Sequence, residues 1–250
     1  MGIASHRIKD RNMGDQIVET RIIDRVCILT LNDPERLNAM SHRMSALFKK
    51  TVTNIREKAR VLVLTGKGRA FCAGGDLDEI AANYGQDPGR VKQKSFDFYA
   101  DFLCICSLGI PTIAAVNGMA VGAGACLAMA CDMRMAARDA SFRFPFVRLG
   151  LHPGMGAEFF LQQAVGQAKT FELLLTGEAV SASQALDMGM VNHVVSGEAL
   201  MDQTLDLARK ISAMPALPVR MLKESVPAAL RSTLEETLAR QASFQAINYM

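Results

Sequence analysis

The 250-residue sequence has no strong excess of either charge: 28 Lys and Arg against 25 Asp and Glu leave a formal +3. The basic residues are scattered, so there is no stripe for a nucleic acid, although the balance is compatible with a phosphorylated small molecule. Histidine is scarce, at four residues. There is no H-E-x-x-H, no Walker lysine loop and no G-x-G-x-x-G after a strand, so metal, ATP and dinucleotide sites lack support. The six cysteines show neither metal nor disulfide spacing; Cys104-Ile105-Cys106 is not C-x-x-C. Buried thiols in a reducing compartment, the cytoplasm, are expected. Residues 1–15 lack an apolar stretch and are expected to form a flexible segment without a secretory leader.

Charge is also absent between Asp101 and Asp132. So long an apolar run raises the question of a membrane span. Pro111, Asn117, Gly118, Gly122 and Gly124 exclude it, because a helix interrupted so often leaves backbone groups unpaired in lipid. The run reads instead as a buried strand (Thr112 to Val116), an Asn-Gly turn, and a Gly/Ala-rich helix ending near Cys131. A helix whose first turn is only Gly and Ala leaves its free N–H groups open to an anion.

What is present is a globular chain, half of it hydrophobic, long enough for a substantial core. Alternation and β-branching predict strands at Ile17 to Ile23 and Val26 to Leu31, paired through Asp24-Arg25. Ser41 is placed to cap a helix from His42 to about Lys58, with Met44, Leu47, Phe48, Val52 and Ile55 at helical spacing. Val61 to Thr65 reads as a buried strand. Phe71-Cys72-Ala73-Gly74-Gly75-Asp76 is a second glycine-rich turn opening a helix near Leu77. Asp87-Pro88-Gly89 reads as a loop, Val91 to Ser107 as an amphipathic helix, and Asp132 to Ala136 as a short strand. A loop region from Phe142 reaches Gly156, a helix opens near Ala157, and the chain from Lys169 on reads as almost entirely helical. Strands alternating with helices, then helices, make an α/β protein with a helical C-terminal part.

Two glycine-rich turns that each follow a buried strand and open a helix can aim two backbone N–H groups at one oxygen. At this point the sequence resembles the crotonase (enoyl-CoA hydratase/isomerase) superfamily. The matching fragments, in order, are Asn32 to Ala39, Ala70 to Leu77, Ala115 to Gly124, Ala130 to Arg134, Leu149 to Gly154, Thr176 to Glu178 and Ala185 to Asn192.

The resemblance implies a spiral core of repeated ββα units over 16–195 and a helical region over 196–250 that mediates trimers or dimers of trimers. The last segment is expected to be shortened relative to relatives. It implies an acyl-CoA thioester as substrate, with coenzyme A as part of that substrate and no separate cofactor; the missing motifs, the scattered basic residues and the interrupted apolar run add the expectation of no metal, nucleic-acid or membrane partner. The oxyanion donors are expected to be the N–H groups of Ala73 and Ala123. The CoA face is expected at Arg36, Leu37, Ala39, Ala73, Asp76 and Leu77, and the acyl pocket at Phe144, Phe146, Gly154 and Met155. The class of activity is lyase or isomerase, in fatty-acid metabolism.

Hydratases of the family use two glutamates, and their positions here are Cys126 and Phe146. A thiol and a benzyl group cannot hold and deliver water as a carboxylate pair does, which argues against ordinary hydration. Glu158 is a substitute acid/base, or a first-turn glutamate favoured by the helix dipole. His152 is a second candidate, or a hydrogen-bonded loop residue. Cys126 is a reactive thiol activated by a helix N-terminus, or a small apolar replacement. Arg148 pairs with a substrate carboxylate, a CoA phosphate or a structural partner. Asp76 caps the helix after the first turn. Asp132 orders its loop, with Arg134 as one partner. Two readings follow: an enzyme that stabilises a thioester enolate, and a catalytically silent acyl-CoA-binding or scaffolding member.

Overall fold

Two strands rich in β-branched residues, β1 (Val18–Ile23) and β2 (Val26–Leu31), pair antiparallel across Asp24-Arg25, as expected. Both turn residues have positive φ, 50° and 65°, the handedness that matches strand twist in a two-residue hairpin. The computed structural model describes residues 17–55 and 57–249. The segment expected over 1–15 lies outside them.

From β2 the chain crosses through α1 (His42–Ile55) to β3 (Val61–Gly66), which pairs parallel with β2. Every residue of β3 is buried, which is why it carries a continuous apolar run rather than alternation. Three times the chain then repeats one step. β3 is followed by β4 (Ala70–Cys72), β5 (Thr112–Val116) by β6 (Met119–Val121), and β7 (Met133–Ala137) by β8 (Ser141–Arg143). The first strand of each pair joins a six-stranded sheet, order β1-β2-β3-β5-β7 and then β10 (His193–Val195). The second joins a four-stranded sheet, order β4-β6-β8 and then β9 (Ala179–Ser181). This is the expected spiral of ββα units, a repeat of structure with no repeat of residue identity.

The helices after the turns are α2 (Leu77–Ala81), α3 (Pro88–Leu103), α4 (Ala123–Met129) and α5 (Ala157–Thr176), followed by α6 (Ala182–Asp187) and α7 (Leu200–Ser212). α7 buries Leu200, Thr204 and Ala208 against the large sheet. The last helices, α8 (Ala216–Ala229) and α9 (Leu234–Asn248), bury no residue of their own. No helix among the described residues is long and apolar enough to cross a membrane.

Several boundaries differ from the sequence reading. β4, β6 and β8 stand where turns and a loop were expected, and β9 and β10 interrupt the C-terminal helices. Asp87-Pro88 is the start of α3: the Asp87 carboxylate accepts from Arg90 N at 2.9 Å, and proline fits the first helical position. Asp132 does order its loop, accepting from Thr112 N at 2.8 Å and Thr112 Oγ1 at 3.0 Å. Its cationic partner is Lys223 of α8, with Nζ at 2.6 and 2.7 Å from the two oxygens. Arg134 instead donates to the carbonyls of Met129, Cys131 and Met190, where a guanidinium complements the C-terminal end of α4.

Candidate active site

The first glycine turn is fixed by a loop far away in sequence. Asn38, fully buried, donates to Ala70 O at 2.9 Å and Lys67 O at 3.0 Å and accepts from Asp33 N at 2.9 Å. The loop it anchors lies alongside the turn. Ala73 N donates to Leu37 O at 2.9 Å, Met40 N to Gly74 O at 2.7 Å, and Asp76 N to Met40 O at 3.0 Å. In extended backbone successive residues face opposite sides. Gly74 O and Asp76 N face the loop, so the Gly75 N–H faces the other way, and it has no partner among the described residues.

This corrects one expected donor. The Ala73 N–H is consumed by Leu37 and cannot receive an oxyanion without breaking that bond. The free N–H of this turn belongs to Gly75.

Asp76 is the expected cap of α2, accepting from Asp78 N at 3.0 Å and Glu79 N at 3.2 Å and pairing with the Arg36 guanidinium. Burial alone would raise its carboxyl. The Glu79 N–H, the Arg36 charge and the Asp78 N–H outweigh that and hold it below the usual carboxylate range. Arg36 and Leu37 thus meet the turn through buried Asp76 and the Ala73 N–H, and Leu77 just beyond it is 67 % exposed. Glu79 accepts from His42 N at 3.0 Å and serves the start of α1; Ser41 Oγ accepts from Met44 N there, as predicted.

The second turn opens α4 at Gly122. The N–H groups of Ala123, Gly124 and Ala125 have no partners among the described residues, and the helical bonds start with Cys126 N to Gly122 O at 3.0 Å. Ala123 is 7 % exposed. Upstream of the two turns, Asn117 staples the β5–β6 connection to the β3–β4 connection, donating to Gly68 O at 2.9 Å while its Oδ1 accepts from Gly66 N at 3.1 Å. The two turns touch at Gly74, whose φ is +97°. A Cβ there would lie 2.7 Å from Val121 O and 3.6 Å from Ala123 N. Only glycine permits both that φ and that approach.

Beyond Ala123, Cys126 is wholly buried, its thiol donating to Gly154 O at 3.7 Å. Burial, and secondly the Glu158 carboxylate, push its pKa far up. The expectation of an activated thiol is therefore overturned: desolvation dominates, and Cys126 is a small apolar residue in place of a carboxylate. Phe146, at the other carboxylate position, is half-buried, its ring 3.9 Å from where a Cβ on Gly122 would lie. Phe144 and Met155 are core side chains, 0 % and 1 % exposed.

Glu158 stands in the first turn of α5, its side chain 48 % exposed, and its charge acts on Cys126. His152 Nε2 lies 3.5 Å from Glu158 Oε1, and His152 Nδ1 is 2.9 Å from Pro153 O. With Nδ1 donating to that carbonyl, Nε2 donates to the carboxylate only when the ring is doubly protonated. At 85 % exposure His152 lies at the rim, outside the buried wall. Arg148 is bonded to Thr176 O and has no carboxylate partner among the described residues. No group of His, Cys, Asp or Glu able to hold a metal ion occurs among the described residues. Sequence reasoning missed Tyr99, whose hydroxyl reaches Gly154 from α3; helical periodicity reports only that its face of the helix is amphipathic.

The sequence model of the enoyl-CoA hydratase/isomerase family matches residues 21–247. A probable enoyl-CoA hydratase of Mycobacterium bovis is 37 % identical over 225 residues, covering 88 % of this chain and 86 % of that one. The 1,2-epoxyphenylacetyl-CoA isomerase of Escherichia coli is 36 % identical over 223 residues, covering 88 % and 85 %. The crystal structure of an enoyl-CoA hydratase subunit from Geobacillus kaustophilus superposes with a TM-score of 0.88 at 38 % identity, covering 94 % of this chain and 90 % of its own. A Thermobifida fusca structure in complex with CoA superposes at 0.87 with 29 % identity, covering 93 % of each. Fold, turns and relatives agree: the chain belongs to the enoyl-CoA hydratase/isomerase family.

Proposed function

We propose that this protein binds an acyl-CoA thioester with the thioester oxygen between the N–H groups of Gly75 and Ala123, and stabilises the enolate formed from it. The observation that carries this reading is the pair of unpartnered N–H groups on two turns that touch at Gly74. Such donors cost no reorganisation when negative charge develops on the oxygen, and one side-chain donor of this kind is worth roughly 3–4 kcal/mol in a well-studied case. The surface of Arg36, Leu37, Ala39, Ala73, Asp76 and Leu77 is the proposed CoA face. The CoA complex of the Thermobifida fusca relative supports a CoA ligand.

Glu158 is the carboxylate left to move a proton, with His152 positioned against it. Hydration needs water held and delivered between two carboxylates, and Cys126 and Phe146 supply neither. Proton transfer at the α-carbon, the step that begins double-bond isomerisation, needs only one base. The test is exchange of the α-protons of butanoyl-CoA with deuterated water, followed by proton NMR. Exchange by the wild type, reduced about 100-fold or more in Glu158→Ala, is expected for a positioned base.

The apolar character of both former carboxylate positions favours a second reading, a silent acyl-CoA binder. It predicts calorimetric binding of butanoyl-CoA with no exchange and no turnover. Self-association as a trimer or dimer of trimers is proposed for the helical end: Leu222, Val226, Leu230, Leu234 and Leu238 of this region are exposed on helices that bury nothing in the single chain. Sedimentation velocity distinguishes a trimer or hexamer from a monomer.

A further inference from the structure

Tyr99 brings a hydroxyl to a wall that is otherwise apolar. It stands near the end of α3, half-buried, with its ring edge-on to Phe98 at 6.2 Å. A Cβ built on Gly154 would lie 2.5 Å from the Tyr99 hydroxyl oxygen and 2.9 Å from Cζ. The phenol therefore fills the room that a side chain at 154 would occupy. The Gly154 carbonyl in turn meets the Cys126 thiol at 3.7 Å. Cys126 lies three residues beyond Ala123, one turn along the same face of α4. On the acyl-CoA reading, an acyl chain leading from the Ala123 N–H toward Gly154 would meet the phenol there.

The phenol is neutral: burial pushes its pKa above the ordinary tyrosine value, so at neutral pH it keeps its proton. With no carboxylate at 126 or 146, that proton is the hydrogen-bond donor this wall offers an acyl group, beside the Glu158 carboxylate, which only accepts. An all-hydrocarbon chain would leave the donor unpaired, and a few placed polar groups of this kind set specificity in apolar pockets.

We propose that the Tyr99 hydroxyl, set against Gly154 and Cys126, selects the acyl group by donating a hydrogen bond to an oxygen on the acyl chain, so that oxygenated acyl-CoA thioesters are preferred over hydrocarbon ones. This assignment rests on the acyl-CoA reading of the site. The experiment is calorimetric titration of the full chain with butanoyl-CoA and 3-oxobutanoyl-CoA. The 3-oxo thioester is expected to bind about tenfold more tightly. Tyr99→Phe should bring the two affinities together, weakening 3-oxobutanoyl-CoA about tenfold without weakening butanoyl-CoA, which no longer leaves a donor unpaired.

Gly154→Ala, whose methyl displaces the phenol at a residue without positive φ, should abolish the preference too. It keeps the test open if Tyr99→Phe does not fold. Equal wild-type affinities, or a preference that survives in either folded variant, would overturn the assignment. Binding of neither thioester would overturn the acyl-CoA reading and this assignment with it.

Discussion

Replacing Gly74 with alanine should drive the two turns of the site apart. The added methyl would stand 2.7 Å from Val121 O and 3.4 Å from the Val121 carbonyl carbon, both backbone atoms that cannot rotate away. It would also sit on a residue whose φ is +97°, a conformation that costs a non-glycine residue about 1–3 kcal/mol. At roughly 2–4 °C per kcal/mol for a protein of this size, strain alone should lower Tm by about 2–12 °C. The functional effect should be larger, because the methyl displaces the Val121–Ala123 segment and with it one oxyanion donor, worth about 10²–10³ in rate. Gly85→Ala is the control: its φ is +75° but nothing lies within 4 Å of the new methyl. That variant should lose stability and keep full α-proton exchange. Calorimetric melting and the exchange rate of butanoyl-CoA read both consequences. A Gly74→Ala protein with unchanged Tm and wild-type exchange would refute the proposed contact between the turns.

Asp76→Asn should destabilise the protein at pH 7. Because the folded carboxyl is held below its usual range, its stabilisation is present above the unfolded pKa and lost as pH falls through the folded one. The gap in urea midpoint between wild type and variant should therefore shrink from pH 7 toward pH 3. Asp132→Ala should cost about 3 kcal/mol, since it leaves the Lys223 ammonium, 9 % exposed, without its partner; a urea titration measures it, and Lys223→Met should cost less. Cys126 should resist a maleimide at pH 8 in the native state and react once the protein is unfolded in guanidinium, as peptide mapping by mass spectrometry will show. Rapid native labelling at Cys126 would contradict its burial.

The parts of the fold legible in the sequence are those with enough residues to show a period. β1, β2 and β3 have six residues each and α1 has fourteen, and all were placed within a few residues. β4, β6, β8, β9 and β10 have three each. That is too short for alternation to declare itself, and they exist because distant strands pair with them. Caps were legible where they are local, as at Ser41 and Asp76. Asp132 announced itself as a loop-ordering carboxylate, but its cation, Lys223, lies 91 residues away.

The site divides in the same way. Two glycine turns were visible as strings, and the second donor, Ala123, follows from its place at the start of a helix. Which N–H of the first turn is free depends on the loop from Leu37 to Met40, a long-range pairing that consumes Ala73 and leaves Gly75. The fate of Cys126 was likewise decided by burial: its position in the first turn of α4 suggested activation, and the packing around it removed the solvation a thiolate needs. Tyr99 carries no local motif, and Gly154, though it closes the Leu149–Gly154 fragment, gives no sign of a phenol beside it. Their contact exists only once α3 is laid against the loop before α5.

The most direct measurement is a crystal structure of the protein with butanoyl-CoA bound. The thioester oxygen should lie about 2.7–3.1 Å from both Gly75 N and Ala123 N, with Ala73 N still bonded to Leu37 O. A thioester oxygen held by Ala73, or bound away from the two turns, would contradict the account.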